Sequence, residues 1–431
     1  MKFISAFFYC IFSLLLLVCS GACAQVSVTD INAFLNDSAV RTGHAGISIY
    51  EPAIGKYLYD YNADKNFTPS SNVKLFTLYA GMKYLRDSLP GIRYYENDSA
   101  LFIIPAGDPT LLHRDFSDQP VIRFLSASQK NIKLAAQKNI VKPYGPGWAW
   151  DDYNDDYMAE RSVLPVYGNT VLLHNRTITP ALFSYGEITP GAAEKIPAIT
   201  REFYTNRYWI NKNYPAGKDV NIPFITSDSL SRRLLSDAVR KNILPMDESV
   251  KNSNLKIQHI RSRPVDSLFR PMMFNSDNFF AEQTLLMVSN ERLGYMSDEA
   301  IIDTLLKTDL KDIPTKPRWV DGSGLSRYNL FSPKDFVYIL DKLQKEFGME
   351  RMKRILPTGG QGTLTNYYEK EAGSIYAKTG SMSNNVSLSG YLFTRKNKLL
   401  LFSVIINNYT GSGRTGRQAI EKLLRQIRET N

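Results

Sequence analysis

The chain predicts an α/β fold in which an antiparallel sheet flanked by helices is interrupted by a long, mostly β insertion. Three observations carry this expectation. Val73 to Leu85 is apolar nearly all the way round, as a helix buried at the centre of a domain must be. Near the carboxyl end, Ser387 to Phe393 and Leu399 to Asn407 read as two strands, and a helix follows with Ile420, Leu423, Leu424 and Ile427 at i, i+3, i+4 and i+7. Between Tyr94 and Lys256 the character shifts to short β-like runs separated by Asn, Asp, Gly and Pro.

Taken in order, the first residues read as a leader rather than as part of the fold. Lys2 supplies a positive start, Ile11 to Val18 an apolar stretch, and Ala22-Cys23-Ala24 a small-residue cleavage site. Residues 1–24 are therefore expected to be a signal peptide, with the mature chain starting at Gln25 in the periplasm. Anchoring as a lipoprotein through Cys23 is the rival reading, disfavoured because Ser20 stands where such signals prefer an apolar residue. The apolar run is too short to span a bilayer, so membrane association is expected to be peripheral at most. All three cysteines (Cys10, Cys19, Cys23) fall in this leader, so the mature domain is expected to lack disulfides, thiolate nucleophiles and cysteine metal sites.

The formal charge is +10, and only Lys2 of that excess lies in the leader. The basic residues are scattered, without a stripe of Arg and Lys interleaved with aromatics. An anionic wall or membrane surface fits this better than nucleic acid.

Within the mature chain, Val28 to Asn36 reads as a short helix, and Gly46 to Tyr50 with Lys56 to Tyr61 as a hairpin. After Leu89-Pro90-Gly91 comes the β-rich stretch. Helical periodicity returns at Asp266 to Met273 and Phe279 to Val288, and again at Lys334 to Phe347, where Ser332-Pro333 supplies a cap and a first-turn proline. The expected organisation is one discontinuous domain, residues 25–94 and 257–431, with residues 95–256 inserted.

Candidate chemistry begins at Ser71 and Lys74. Three apart at a helix start, they share one face, so a hydroxyl lies beside an amine. Burial lowers a lysine pKa, and a neutral amine can take the serine proton. A solvated serine and lysine in a first turn would give the same spacing. Ser276-Asp277-Asn278 precedes an apolar helix; a hydroxyl and an amide there can relay a proton and hold a carbonyl, although a simple helix cap fits as well. Lys378-Thr379-Gly380 lies on an expected strand, with a fixed positive charge, a hydroxyl and a residue that lets backbone approach a ligand. The four histidines (His44, His113, His174, His259) have no metal-ligand spacing, and no metal or other cofactor is expected.

Ser-x-x-Lys, Ser-x-Asn and Lys-Thr-Gly, in this order and on these elements, are the three motifs of penicillin-recognising serine acyl-transferases. The sequence resembles the class C low-molecular-weight penicillin-binding proteins, the D-alanyl-D-alanine carboxypeptidase/endopeptidase family of peptidase type S13. The resemblance covers nearly the whole mature chain. It includes Gly107-Asp108-Pro109-Thr110-Leu111, Gly147-Trp148-Ala149-Trp150-Asp151-Asp152, Asp321 to Arg327 and Ala377 to Ser381. It implies a β-lactamase/transpeptidase-like domain and an exported serine peptidase acting on peptidoglycan stem peptides, with β-lactam antibiotics as inhibitors.

It also implies residue roles. Ser71 would be the nucleophile and Lys74 its base, Ser276 a proton relay and Asn278 a holder of the substrate carbonyl. Lys378 and Thr379 would hold the terminal carboxylate, with Gly380 and Ser381 completing the strand edge. The N–H groups of Ser71 and Ser381 would form an oxyanion hole. Asp152 and Arg327 would receive the third stem-peptide residue, with Asp151 the neighbouring alternative to Asp152. The pattern departs at Thr358-Gly359-Gly360-Gln361, where the family usually has an acidic residue before the glycine and a later basic one; Tyr367-Tyr368 follow instead. A β-lactamase or esterase, or a non-catalytic wall-binding module on the same fold, remain the alternatives.

Overall fold

The computed structural model describes residues 27–135, 141–189, 191, 197–215, 217–246 and 256–431. The expected leader, with Cys23, lies outside the described residues. Helix α1 (Val28–Leu35) starts at Ser27, whose side chain accepts a hydrogen bond from the Asp30 N–H. Strands β1 (His44–Glu51) and β2 (Lys56–Tyr61) form an antiparallel hairpin. A 3-10 turn over Ser70–Val73 then runs into α2 (Lys74–Tyr84), so the α-helix proper begins at the lysine and not at Pro69.

Among the other elements of this part are α3 (Asn278–Leu293), α4 (Pro333–Phe347), β3 (Ile375–Met382), β4 (Asn385–Phe393), β5 (Leu399–Asn407) and α5 (Gly413–Thr430), together with the helices Asp266–Phe274, Asp298–Lys307 and Met349–Ile355. The five strands make one antiparallel sheet in the order β3-β4-β5-β1-β2. The amino-terminal hairpin is thus added to the edge of three carboxyl-terminal strands through the β1–β5 ladder.

Period-two alternation explains why this sheet is covered on both faces. Leu400, Phe402, Val404 and Ile406 of β5 join Ile420, Leu423, Leu424 and Ile427 of α5 and Phe34 of α1 in one core. Leu401 and Ile405, on the opposite face, join Leu75, Phe76 and Leu78 of α2 and Phe336, Ile339 and Leu340 of α4. Every residue of α2 from Lys74 to Met82 is buried, which is why its sequence is apolar on all sides. Ser332 and Asp335 form the reciprocal cap of α4, and Pro333 sits in its first turn.

The middle of the chain builds a second, mixed five-stranded sheet. Its order is Ile243–Pro245, Asn131–Leu134, Ala100–Pro105, Ser88–Glu96 and Gln258–Pro264. Two three-stranded sheets accompany it, with a separate core around Leu101, Val171, Tyr208 and Phe224. Two helices, Pro120–Ala127 and Asp228–Val239, lie among these strands and are missed by a reading that looks only for short β runs. The Leu89-Pro90-Gly91 segment, after which the β-rich stretch is expected to begin, itself runs inside the strand Ser88–Glu96. Its pairing shifts register near Arg261, opposite Pro90, so the proline that lacks a ladder N–H marks an irregularity and not an end.

Candidate active site

The turn Ser70–Val73 is fastened to the sheet from below. Ser387 on β4 donates its hydroxyl to the Pro69 carbonyl at 2.7 Å, and the Asn72 amide donates to Ser389 Oγ at 3.2 Å. Gly380 allows this approach: a Cβ there would lie 2.2 Å from Ser387 Oγ and 2.6 Å from the Pro69 carbonyl oxygen. From above, the loop leading into α4 presses on the same turn. A Cβ at Gly324 would sit 1.9 Å from the Ser70 carbonyl oxygen, and its φ of +83° favours glycine independently. Ser70 itself holds a left-handed φ of 51°, and Ser276 one of 61°. Backbone strain of this kind persists only where surrounding structure fixes it.

Lys74 is fully buried, and its Nζ makes three contacts. It lies 3.0 Å from Ser71 Oγ, 2.7 Å from Asn278 Oδ1 and 2.7 Å from the Ser323 carbonyl oxygen. Two of these neighbours can only accept. A neutral amine has two N–H bonds and one lone pair, so donating to Asn278 and Ser323 turns the lone pair towards the Ser71 hydroxyl. Burial pushes the Lys74 pKa down to about 8, against the opposing pull of Asp321, Asp277 and Glu282. The arrangement can therefore deprotonate Ser71 near neutral pH.

Ser276 and Asn278 enter on the first turn of α3, which Asp277 caps by accepting from the Phe280 N–H at 2.8 Å. Asp277 is buried and its carboxyl is pushed up to about 6 by desolvation. Five residues further on, Glu282 accepts from the Ser323 N–H at 2.7 Å. The Ser323 peptide is thus held at its N–H by Glu282 while its carbonyl receives Lys74. Glu282 is buried against Arg161 at 3.3 Å, and desolvation followed by the nearby Asp321 charge pushes its carboxyl up to about 7. Arg161 also pairs with Asp298. Asp321 orders the loop itself, accepting from the Gly324 and Ser326 N–H groups, the Asn329 amide and the Trp148 indole.

Lys378 is fully buried on β3. Its Nζ donates to Ser276 Oγ and to the Thr379 carbonyl oxygen, each at 2.8 Å. Its pKa lies well below the usual lysine value, first through burial and then through the Lys74 charge. Ser381, at the exposed end of the same strand, accepts from Arg417 of α5 at 2.8 Å. Arg417 also donates to the Tyr367 hydroxyl at 3.2 Å, so a basic group reaches this strand edge from the last helix.

These residues surround one cleft of about 370 Å³. Ser71, Ser276 and Asn278 line its base, Ser381, Met382 and Ser383 one side, and Gly324, Leu325 and Arg327 another. The inserted segment closes it with Ala149, Asp152 and Tyr157; Asp152 lines the cleft, whereas Asp151 is exposed outside it. Asp152 and Arg327 form no ion pair among the described residues. Lys378, Thr379 and Gly380 stand behind this lining. The Ser323 carbonyl, Glu282 and Arg417 had no part in the sequence reading. The spacing from Asn278 to Glu282, one helical turn, is the signal that would have found the second of them. Among the described residues no cluster of acidic, histidine or cysteine side chains could hold a metal ion.

Comparison with known proteins places this geometry in context. A family model, "D-Ala-D-Ala carboxypeptidase 3 (S13) family", matches residues 27–427. A D-alanyl-D-alanine carboxypeptidase of an Actinomadura species is 25% identical across 91% of this chain and 83% of its own. The crystal structure of penicillin binding protein 4 from Haemophilus influenzae superposes with a TM-score of 0.72 at 20% identity, covering 94% of this chain and 98% of that one. A predatory peptidoglycan endopeptidase from Bdellovibrio bacteriovorus aligns with a TM-score of 0.53 at 16% identity, covering 89% and 92%. At these identities the two structures establish a shared fold.

Proposed function

The chain belongs to the D-Ala-D-Ala carboxypeptidase 3 (S13) family, and on that premise we propose that it is an exported serine peptidase of the periplasm that removes the terminal D-alanine of peptidoglycan stem peptides. The same acyl-enzyme, met by a cross-linked peptide, would make it an endopeptidase as well. The single observation that supports this reading most is Lys74, buried, poised near pH 8 and hydrogen-bonded to Ser71.

In the proposed reaction, Lys74 Nζ takes the proton from Ser71 Oγ as that oxygen attacks the carbonyl carbon of the penultimate D-alanine. The developing oxyanion is held by the N–H groups of Ser71 and Ser381; one such donor typically contributes about 10²–10³ in rate. Ser276, which accepts a hydrogen bond from Lys378, passes its proton to the departing D-alanine nitrogen as the C–N bond breaks and takes up in turn the proton that Lys74 removed from Ser71. Water then attacks the ester and regenerates Ser71. Asn278 holds Lys74 through its oxygen and offers its amide to a substrate carbonyl; that amide now donates to the Tyr157 carbonyl at 3.2 Å. The hydroxyls of Thr379 and Ser381 receive the terminal carboxylate, and Lys378 stands beneath them as hydrogen-bond donor to Ser276 and the Thr379 carbonyl. Asp152 and Arg327 are opposite charges lining the same cleft, which suits the zwitterionic end of a diaminopimelate side chain.

β-Lactams acylate the same serine in this scheme. Labelled penicillin incubated with the purified mature protein is expected to mark one peptide, the one containing Ser71. An unlabelled wild type, or equal labelling of Ser71→Ala, sinks the proposal. Purified muropeptides then separate the two activities through loss of D-alanine against loss of cross-linked dimers.

A further inference from the structure

A second cavity, of about 460 Å³, lies behind the wall of the cleft. One short segment serves both: Ala149, Asp152 and Tyr157 face the cleft, while Trp150, Tyr153 and Met158 face the cavity. Its remaining walls are largely aromatic. Phe203 stands edge-to-face with three other rings, Trp150 at 6.0 Å and 79°, Tyr153 at 4.8 Å and 80°, and Tyr204 at 4.6 Å and 90°. Trp150 is 73% exposed and Tyr204 85% exposed, so neither is there to hold the fold together.

The charged groups beneath are already spent. Arg201 is buried and donates to the carbonyls of Pro223, Glu202, Phe203 and Thr205, and Glu160 is buried and accepts from the Thr226 N–H and hydroxyl. The cavity therefore offers flat aromatic faces and no free charge, which calls for an uncharged ligand. Aliphatic side chains are sparse there, Met158 and Ile225 alone, so the lining favours a ligand with a flat face over a bulky aliphatic one. A pyranose ring suits it: one face of axial C–H bonds lies on an aromatic ring while equatorial hydroxyl and acetamido groups stay in water.

We propose that this aromatic cavity is a carbohydrate subsite, taking the N-acetylated amino-sugar chain from which the stem peptide hangs. The inference rests on the peptidase reading for the identity of the polymer and on the shared wall for the placement of its sugar beside its peptide. The cavity then selects substrate still attached to glycan over free peptide.

The test compares two substrates with the full mature protein: a disaccharide-linked pentapeptide and the same pentapeptide without sugar. Trp150→Ala and Tyr204→Ala together are expected to lower kcat/KM for the sugar-bearing substrate on the order of tenfold, since each aromatic contact contributes modestly. Turnover of free pentapeptide should stay within about twofold, because neither ring touches the cleft. In parallel, saturation-transfer NMR with the peptide-free disaccharide of N-acetylglucosamine and N-acetylmuramic acid should show transfer to sugar ring protons in wild type and lose it in the double variant. Equal loss on both substrates, or no transfer with wild type, overturns the subsite. Failure of the peptidase reading looks different: neither substrate releases D-alanine, while disaccharide binding persists.

Discussion

The main-chain carbonyl of Ser323 accepts a hydrogen bond from Lys74 Nζ at 2.7 Å, across 249 residues of sequence. This contact fixes which way the lysine lone pair points, and the acidity of the lysine then decides when that lone pair is available.

The first prediction follows from that acidity. With its pKa pushed down to about 8, Lys74 is neutral in roughly a tenth of molecules at pH 7 and in about nine-tenths at pH 9. The rate constant for penicillin acylation is expected to climb about tenfold between those values and then level off. A profile flat from pH 6 to 9.5 contradicts the assignment of Lys74 as base.

Replacing the base tests the same point without titration. Lys74→Arg keeps a long cation but cannot lose its proton in a protein. Acylation should slow by about 10²–10⁴, while circular dichroism stays that of the folded chain. Stopped-flow binding of a fluorescent penicillin reads the rate directly.

Gly324 tests the ceiling over the nucleophile. Alanine there meets the Ser70 carbonyl oxygen and must adopt a φ of +83°. Unfavourable φ alone costs roughly 1–3 kcal/mol. Thermal unfolding of Gly324→Ala should show a lowered Tm, and acylation should fall more than stability because the displaced atom adjoins Ser71. A variant with unchanged Tm and rate removes Gly324 from the argument.

Glu282 gives a prediction with a definite sign. Its folded carboxyl, at about 7, lies above the ordinary value of 4.5. Between those values the folded chain binds the proton that the unfolded chain has lost, so this group's contribution to stability grows as pH falls from about 7 to 4.5. Glu282→Gln cannot titrate. The Tm of wild type minus that of the variant is therefore expected to rise as pH falls through this window, and a fall in that quantity refutes the assignment.

Much of this was legible beforehand because the signals were local. The two-residue alternation of β5 and the four-residue spacing of α5 each reflect one neighbour, the sheet core they share. Ser71 with Lys74, and Ser276 with Asn278, are likewise close in sequence, and the structure brings Ser71, Ser276, Asn278 and Ser381 to one cleft with Lys74 buried beside Ser71. What stayed hidden depends on distant chain. Nothing near Ser323 in sequence announces that its carbonyl meets Lys74, since a backbone oxygen carries no residue signature. The ammonium of Lys378 is turned to Ser276 and the Thr379 carbonyl, a direction set by burial under the lining, which composition does not report. Pro90 misled because its missing N–H has the same appearance at a chain break and at an irregular edge.

The sheet order β3-β4-β5-β1-β2 has a consequence for biosynthesis. The nucleophile turn leaves the ribosome early, but the strands that grip it through Ser387 and Ser389 are among the last parts made. Contacts across so much sequence close slowly, because loop entropy must be overcome before they form. A nascent chain therefore carries Ser71 before the surroundings that make it reactive have formed. Reactivity at Ser71 therefore waits until the carboxyl-terminal strands have been made and have docked on its turn.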